Sequence, residues 1–435
     1  MKEVKIIGAG LAGCEASHQL AKLGFKVKLY EMKKYKHHEA FKTDGFAELI
    51  CSNSLRSDNI ENAVGLLKEE MRLLDSLIME AANETKVDAG SSLAVDRIAF
   101  SNYITEKIRN NPNIEVFDEE VLSLDDNIPT IIASGPLTEG SLSKEISSLI
   151  KDDYLYFYDA VSPIVEKESI DFSKAYFKSR YDDGEGDYIN CPMTKEEFFK
   201  FYNELINAKC IDIKDMDQEI YFEGCMPFEA MAKRGFNTLL FGPMKPVGLE
   251  HNGVRPFAVV QLRQDNAIKT LYNIVGFQTH LTFGEQKRIL QMIPGLENVN
   301  IVRYGVMHRN TYINSPKVLN HHYQFKDHPN LFIAGQISGV EGYIESAASG
   351  LYAALSMAQY LTQDKIIELG SDTMMGAMAN YISDSRISKL VPMNANFGIF
   401  ISDIKVNKKE KRQMYAKIAL ENIKKYKEAI ECMNF

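Results

Sequence analysis

Tryptophan is missing from this chain of 435 residues, cysteine occurs only six times, and no apolar run approaches the length that spans a bilayer. The missing apolar run excludes a helical membrane protein, so no membrane partner is expected. The cysteines are scattered, with no C-x-x-C pair, which excludes a disulfide scaffold and a zinc-ribbon site. The histidines are not spaced as metal ligands, so no metal is expected. No signal-peptide pattern precedes the first apolar run, and the expected compartment is the cytoplasm. An excess of basic residues is lacking as well. A net charge of −9 argues against holding nucleic acid by bulk charge and leaves only a local basic face for that role. There is no G-x-S-x-G nucleophile elbow, no internal repeat and no low-complexity tract.

What is present begins at Val4. A short apolar strand runs into Gly8-Ala9-Gly10-Leu11-Ala12-Gly13, followed by a helix over Glu15 to Leu23, a turn at Gly24, and a second strand, Lys26 to Tyr30, closed by Glu31. Gly8 permits the tight turn, Gly10 lets the backbone approach a pyrophosphate, and Gly13 allows close helix–strand packing. The helix N-terminus presents free N–H groups to phosphate. Glu31 stands where a carboxylate accepts the ribose hydroxyls of an adenosine. The order of strand, glycines, helix, strand and acid carries the reading, because the glycines alone are weak evidence.

The pattern predicts a helix-like run from Phe46 to Cys51, a turn at Ser52 to Ser54, a long amphipathic helix over 61–82, and buried strands at Ile114 to Phe117 and Thr130 to Pro136. Gly135 lies where backbone comes close to a cofactor. From about 160 the alternation of strand and helix breaks into short strands between Gly/Pro turns: Glu219 to Phe222, Thr238 to Phe241, Phe257 to Leu262 and Leu271 to Gly276. A strand from Asn330 then runs into Gly335 and Gln336, and a small-residue helix begins near Glu345, just after Tyr343. The fold class expected is α/β: an FAD-binding Rossmann-type (glutathione reductase-like) domain split by an inserted α+β domain. Residues 1–160 form its first part, 161–325 the insert, and 326–435 its second part with a basic C-terminal helix. FAD fits better than NAD, because the second cofactor-facing unit lies near the far end of the chain and not directly after the first.

Two cysteines stand in turns near cations, a setting that activates thiols. Cys51 precedes an Asn/Ser turn with Arg56 close by, and Cys225 lies between Gly224 and Met226-Pro227, ahead of Lys233 and Arg234. Cys14, Cys191, Cys210 and Cys432 read as ordinary thiols. His280 is a candidate stacking platform or proton carrier, or a satisfied structural histidine. Arg263-Gln264-Asp265 forms a further polar cluster. Basic residues gather at Lys33, Lys34 and Lys36, at Lys233 and Arg234, and along Lys405 to Lys427 with Tyr415 and Tyr426 interleaved. Such a stretch is a solvated helix face or a track for phosphates.

Taken together, these motifs resemble the TrmFO family, FAD- and folate-dependent RNA uracil-C5 methyltransferases related to MnmG. The likeness covers nearly the whole chain. It runs through Gly8 to Gly13, Phe46 to Arg56, Asn62 to Met71, Leu93 to Arg97 and Tyr154 to Ala160. It continues through Phe222 to Pro227, Leu240 to Leu249, Arg303 to Asn310 and Gly339 to Tyr343. The resemblance implies that 5,10-methylenetetrahydrofolate gives its one-carbon unit to reduced FAD and that NAD(P)H supplies electrons. Cys51 then adds to uracil C6 and Cys225 takes the C5 proton, two roles that could be exchanged. It places His280 over the folate pterin and Tyr343 in the flavin-facing loop. The chain departs from the family pattern at Phe41-Lys42 and Thr282-Phe283, and at Ile98. The structured RNA expected as partner is either tRNA, at its T-loop uridine, or 23S ribosomal RNA, as in the RlmFO branch. The alternatives are an NAD(P)H-dependent small-molecule flavoprotein oxidoreductase and a catalytically silent paralogue.

Overall fold

In the computed structural model the described residues are 2–36, 38, 40–152, 154–180, 186–211, 226–363, 365–402, 410–433 and 435. Cys225 and the strand expected at Glu219 to Phe222 lie outside them. The two ends of the chain build one sheet. Its five parallel strands run in the order Leu331–Ile333, Thr130–Ile132, Glu3–Ile7, Lys26–Tyr30, Ile114–Phe117. The glycine helix, Leu11–Lys22, packs along the late helix Tyr343–Thr362, and a single apolar core spans both. Close contact is possible because the facing residues are small. A Cβ on Gly350 would stand 2.2 Å from the Ala12 carbonyl oxygen.

The middle of the chain forms a second sheet, antiparallel and six-stranded, ordered Tyr176–Phe177, Tyr188–Met193, Ala258–Gln264, Leu271–Ile274, Ile164–Glu166, Ile301–Arg303. It carries its own apolar core against the helix Lys195–Ile206. An antiparallel ribbon, Leu155–Ala160 with Met307–Tyr312, carries the chain out of the first region and back. None of the described helices is long and apolar enough to cross a membrane.

Three local expectations are corrected. The long helix over 61–82 is two helices, Ala63–Leu73 and Leu77–Glu84. Asp75 adopts a left-handed conformation, with φ 57°, and the Ser76 hydroxyl accepts the Met79 amide to start the second helix. Thr238 to Phe241 is helical, within Phe236–Phe241, because a short apolar run has no decisive period. Phe46 to Cys51 is not a helix. Ala47 has φ 47°, and the Leu49 and Ile50 carbonyls are taken by a distant arginine. The C-terminal helix, Lys411–Glu431, turns Tyr415 and Tyr426 inward, so neither ring is a stacking platform for RNA.

His322 is buried, with Nδ1 3.3 Å from the Tyr352 hydroxyl. Burial, followed by the neighbouring His321, pushes its pKa down to about 4. The unfolded chain binds this proton near pH 6.5, so folding loses stability as pH falls from about 6.5 to 4, by up to about 3 kcal/mol. Urea unfolding at these two pH values should show that slope in the wild type and a shallower one in His322→Gln.

Candidate active site

The turn after the first strand forms the floor of a cleft. Gly8 has φ 101° and abuts Ala133, while a Cβ on Gly13 would lie 1.8 Å from the Gly8 carbonyl oxygen. These two glycines are required by the protein's own packing. Gly10 differs: its φ is −73°, and a Cβ there would meet nothing within 4 Å. The space beside Gly10 opens into the cleft, at the N-terminus of the helix Leu11–Lys22, where a phosphate finds free N–H groups. Glu31 closes one end. Its two oxygens accept the Ala9 amide at 2.7 Å and the Lys33 amide at 2.9 Å, so the carboxylate is locked before any ligand arrives. Gly135, with φ 78°, and Gly335, with φ 82°, form the opposite wall together with Gln336, whose amide donates to Glu341. Of the sequence-predicted dinucleotide residues, Gly8, Gly10, Glu31, Gly135, Gly335, Gln336 and Tyr343 line this one cleft, while Gly13 packs the helix onto the strand behind it; the donor set, open space and carboxylate fit an FAD-type dinucleotide.

Tyr343 joins the cleft to Cys51. The tyrosine lines the cleft at the start of its helix, and its Oη accepts the backbone N–H of Cys51 at 2.6 Å and of Ser52 at 3.2 Å. Burial raises the Tyr343 pKa, so the hydroxyl stays protonated. Cys51 is half-buried, and its thiol points toward the Ala160 carbonyl at 3.7 Å. Positive φ values at Ala47 (47°) and Arg56 (63°) bracket the segment, and strain of this kind persists only where surrounding contacts hold it. Those contacts are visible. Lys33 donates to the Gly45 carbonyl at 2.6 Å and pairs with Glu48 at 3.1 Å, both side chains buried.

Two guanidiniums hold the loop from the other side, and a third lies near them. Arg97 donates from Nη1 to the Leu49 carbonyl at 2.8 Å and from Nε to Asp265 at 3.0 Å. Arg263 donates to the Ser52 hydroxyl at 2.6 Å and the Asn53 side-chain oxygen at 3.2 Å. Arg303 is lowered in pKa by burial first and by the Arg97 charge next. Its Nε and Nη2, with Arg97 Nη2, are shielded from solvent and have no hydrogen-bond partner among the described residues. Positive charge is therefore in surplus behind Cys51, with Asp265 as the carboxylate paired to Arg97. Asp265→Ala would leave that charge buried and unpaired, a change that costs about 3–5 kcal/mol. Denaturant unfolding should show that loss; one below about 1 kcal/mol, the range of an exposed pair, would contradict it.

His280 does not line the cleft. It is buried, with Nδ1 2.7 Å from Glu229. Burial lowers its pKa, but hydrogen bonds with Cys210 and Glu229 outweigh that and bring it up to about 10. Of the basic clusters, Lys33 is consumed by Glu48, and Lys34 and Lys36 pair with Asp118 and Glu120. Sequence reasoning missed the roles of Arg97 and Arg303 although both stand in the quoted motifs. The available signal was Arg263, a charged residue in the wholly buried strand Ala258–Gln264.

Comparison with known proteins places this geometry in a family. The family model described as glucose inhibited division protein A matches residues 3–365. A Bacillus pumilus protein named methylenetetrahydrofolate–tRNA-(uracil-5-)-methyltransferase TrmFO is 58% identical over 425 residues, covering 97% of this chain and 98% of the relative. The Bacillus subtilis protein of the same name is 58% identical over 424 residues, covering 97% of each. The solved structure of Aquifex aeolicus GidA (form II crystal) superposes with a TM-score of 0.71 at 17% identity, over 98% of this chain and 73% of that one. That likeness shows the fold, an FAD-binding Rossmann-type α/β architecture. The chain belongs to the TrmFO family, related to GidA (MnmG).

Proposed function

We propose that this protein methylates C5 of a uridine in tRNA, with FAD in the glycine-lined cleft, methylenetetrahydrofolate as carbon donor and NAD(P)H as electron source. Relatives named for the tRNA reaction support it at 56–58% identity over nearly the full length. The observation that carries the reading is the shared Tyr343 hydroxyl, which fixes the Cys51 loop to the wall of the cofactor cleft. When bound, the flavin and folate supply the one-carbon unit and the hydride. The Cys51 sulfur adds to C6 of the pyrimidine, which makes C5 nucleophilic. A base then removes the C5 proton and the S–C6 bond breaks. Cys225, outside the described residues, is assigned as that base, and the two cysteine roles are interchangeable on this reading. His280, a cation at neutral pH, is assigned to the folate. The surplus of guanidinium charge behind Cys51 suits a polyanionic substrate in a chain whose overall charge is −9. The same reading divides the chain into a cofactor domain, 1–160 with 326–435, and an insert, 161–325.

Mass mapping of 5-methyluridine in total RNA, with and without the gene, tests this. Loss of the tRNA T-loop modification is expected. Loss from 23S ribosomal RNA alone would overturn the tRNA assignment, and no loss would overturn methylation itself. Rapid NAD(P)H turnover without RNA or folate would favour a small-molecule oxidoreductase.

A further inference from the structure

Just past the edge strand Ile301–Arg303 of the six-stranded sheet, an aromatic pair reaches the surface. Phe283, the first residue of the helix Phe283–Leu290, has its ring centroid 4.9 Å from that of Tyr304, with the planes tilted by 36°. Phe283 is 52% exposed and Tyr304 is half-buried. A single exposed ring needs no explanation, but this pair is held from beneath. Gln286, one turn after Phe283, is buried, and its side chain closes on Gly305, the residue after Tyr304. Oε1 accepts the Gly305 amide at 2.8 Å, and Nε2 donates to the Gly305 carbonyl at 2.8 Å and to the Leu281 carbonyl at 2.7 Å. A side chain at 305 is ruled out, because a Cβ there would stand 2.6 Å from both Thr279 Cγ2 and the Val161 carbonyl oxygen. This clamp fixes the two rings against each other before any partner arrives. Beside Phe283 the space is open: a Cβ on Gly284 would meet nothing within 4 Å.

We infer that Phe283 and Tyr304 form a stacking platform for an unpaired nucleobase of the substrate RNA, next to the uridine that is methylated. The inference rests on the proposed methylation of RNA and names a surface that holds the substrate. Position is the first argument. The Cys51 sulfur faces the Ala160 carbonyl, Ala160 pairs with Met307, and Val161 N–H donates to the Val306 carbonyl at 2.8 Å. Tyr304 is three residues before Met307, at most about 11 Å along the chain. The rings therefore stand beside the proposed reaction centre, within reach of a neighbouring nucleotide. Charge is the second argument. Arg303 immediately precedes Tyr304 and, with Arg97, carries the guanidinium surplus behind Cys51. Rings set beside cations suit single-stranded nucleic acid, because every base has a π-face to stack and the cations meet the phosphate backbone. An apolar protein segment would cover the rings and leave the cations unanswered. A second exposed aromatic pair among the described residues, Phe172 with Phe177 at 5.5 Å, has no such position. Phe177 lies on the opposite edge strand of the same sheet.

The test is binding of an end-labelled T-arm hairpin RNA to the full-length, FAD-loaded protein, read by fluorescence anisotropy at fixed salt. Phe283→Ala and Tyr304→Leu should each weaken binding by about fivefold or more, the loss of one stacked base. Tyr304→Phe keeps the ring and should bind as the wild type does, as should Phe172→Ala on the opposite edge. A blunt duplex of the same stem, which offers no unpaired base, should not distinguish Phe283→Ala from the wild type. Phe283→Trp gives a direct reading that needs no ring to be removed, since it introduces the sole tryptophan of the chain. Its emission should be quenched by the hairpin, and not by the duplex or by methylenetetrahydrofolate alone. Hairpin binding by Phe283→Ala within twofold of the wild type, or tryptophan emission unchanged when the hairpin binds, would overturn the platform. Quenching by the folate alone would assign the rings to that ligand and overturn the nucleobase. Methyl incorporation separates this inference from the reading beneath it. Phe283→Ala should show a raised KM for RNA with kcat near that of the wild type. A wild-type protein that methylates the hairpin while the platform tests fail loses only the platform, whereas one that neither binds nor methylates RNA overturns both.

Discussion

Cys51→Ala should abolish 5-methyluridine formation, by on the order of 10³-fold or more, and yield a protein that still folds and still turns yellow with FAD. The separation follows from how Cys51 is held. Its backbone N–H, not its side chain, donates to Tyr343, so alanine keeps the bond that fixes the loop to the cleft. The thiol's own contact, to the Ala160 carbonyl, is long at 3.7 Å. Its loss should cost about 1 kcal/mol or less. Arg97 and Arg263 hold the carbonyls and hydroxyl on either side of Cys51 and are untouched. Cys51→Ser keeps the shape and offers a harder nucleophile that adds poorly to a conjugated alkene, so it too should be inactive. The measurement is incorporation of a labelled methylene group into T-loop RNA by purified wild type and variants at matched flavin content. Activity of Cys51→Ala within tenfold of wild type would remove the sulfur from the reaction.

How much of this was visible in the chain depends on range. The first strand, glycine turn, helix and Glu31 are contiguous, and their contacts follow from geometry within thirty residues. The phosphate-facing floor of the cleft was therefore legible residue by residue, while its opposite wall at Gly135, Gly335 and Gln336 comes from distant segments. Cys51 was legible as a thiol in a cation-rich turn, but its partner Tyr343 lies 292 residues away, and nothing local to either reveals the bond between them. The Arg97–Asp265 pair spans 168 residues. A buried polar residue in an apolar strand marks that a partner exists without saying which. The errors were of another kind. The periodic run over 61–82 hid a break at Asp75-Ser76, because an amphipathic pattern survives a turn between two helices that bury the same face. Phe46 to Cys51 has the composition of a helix, yet its carbonyls serve arginines from elsewhere, so tertiary bonds override propensity.

Two single-methyl substitutions in the glycine loop should divide cofactor binding from folding. At Gly13 a Cβ would sit 1.8 Å from the Gly8 carbonyl oxygen, and backbone cannot give way by that amount without moving the helix off the strand. Gly13→Ala should therefore destabilise the flavin-free protein, by about 1–3 kcal/mol for an overpacked contact, and should purify colourless. At Gly10 the same methyl group meets no protein atom within 4 Å, and φ is −73°, where alanine is at ease. Flavin-free Gly10→Ala should unfold at the wild-type temperature or slightly above it, since alanine also restricts the unfolded chain. Its affinity for FAD should nonetheless fall by tenfold or more (about 1.4 kcal/mol), because the methyl occupies the space where a phosphate approaches the helix N-terminus. Flavin titration by fluorescence quenching, paired with thermal unfolding of the flavin-free proteins, checks both. If Gly10→Ala bound FAD as tightly as the wild type, the pyrophosphate would have to lie elsewhere in the cleft, and Tyr343 and Cys51 would lose the flavin neighbour on which the proposed chemistry depends.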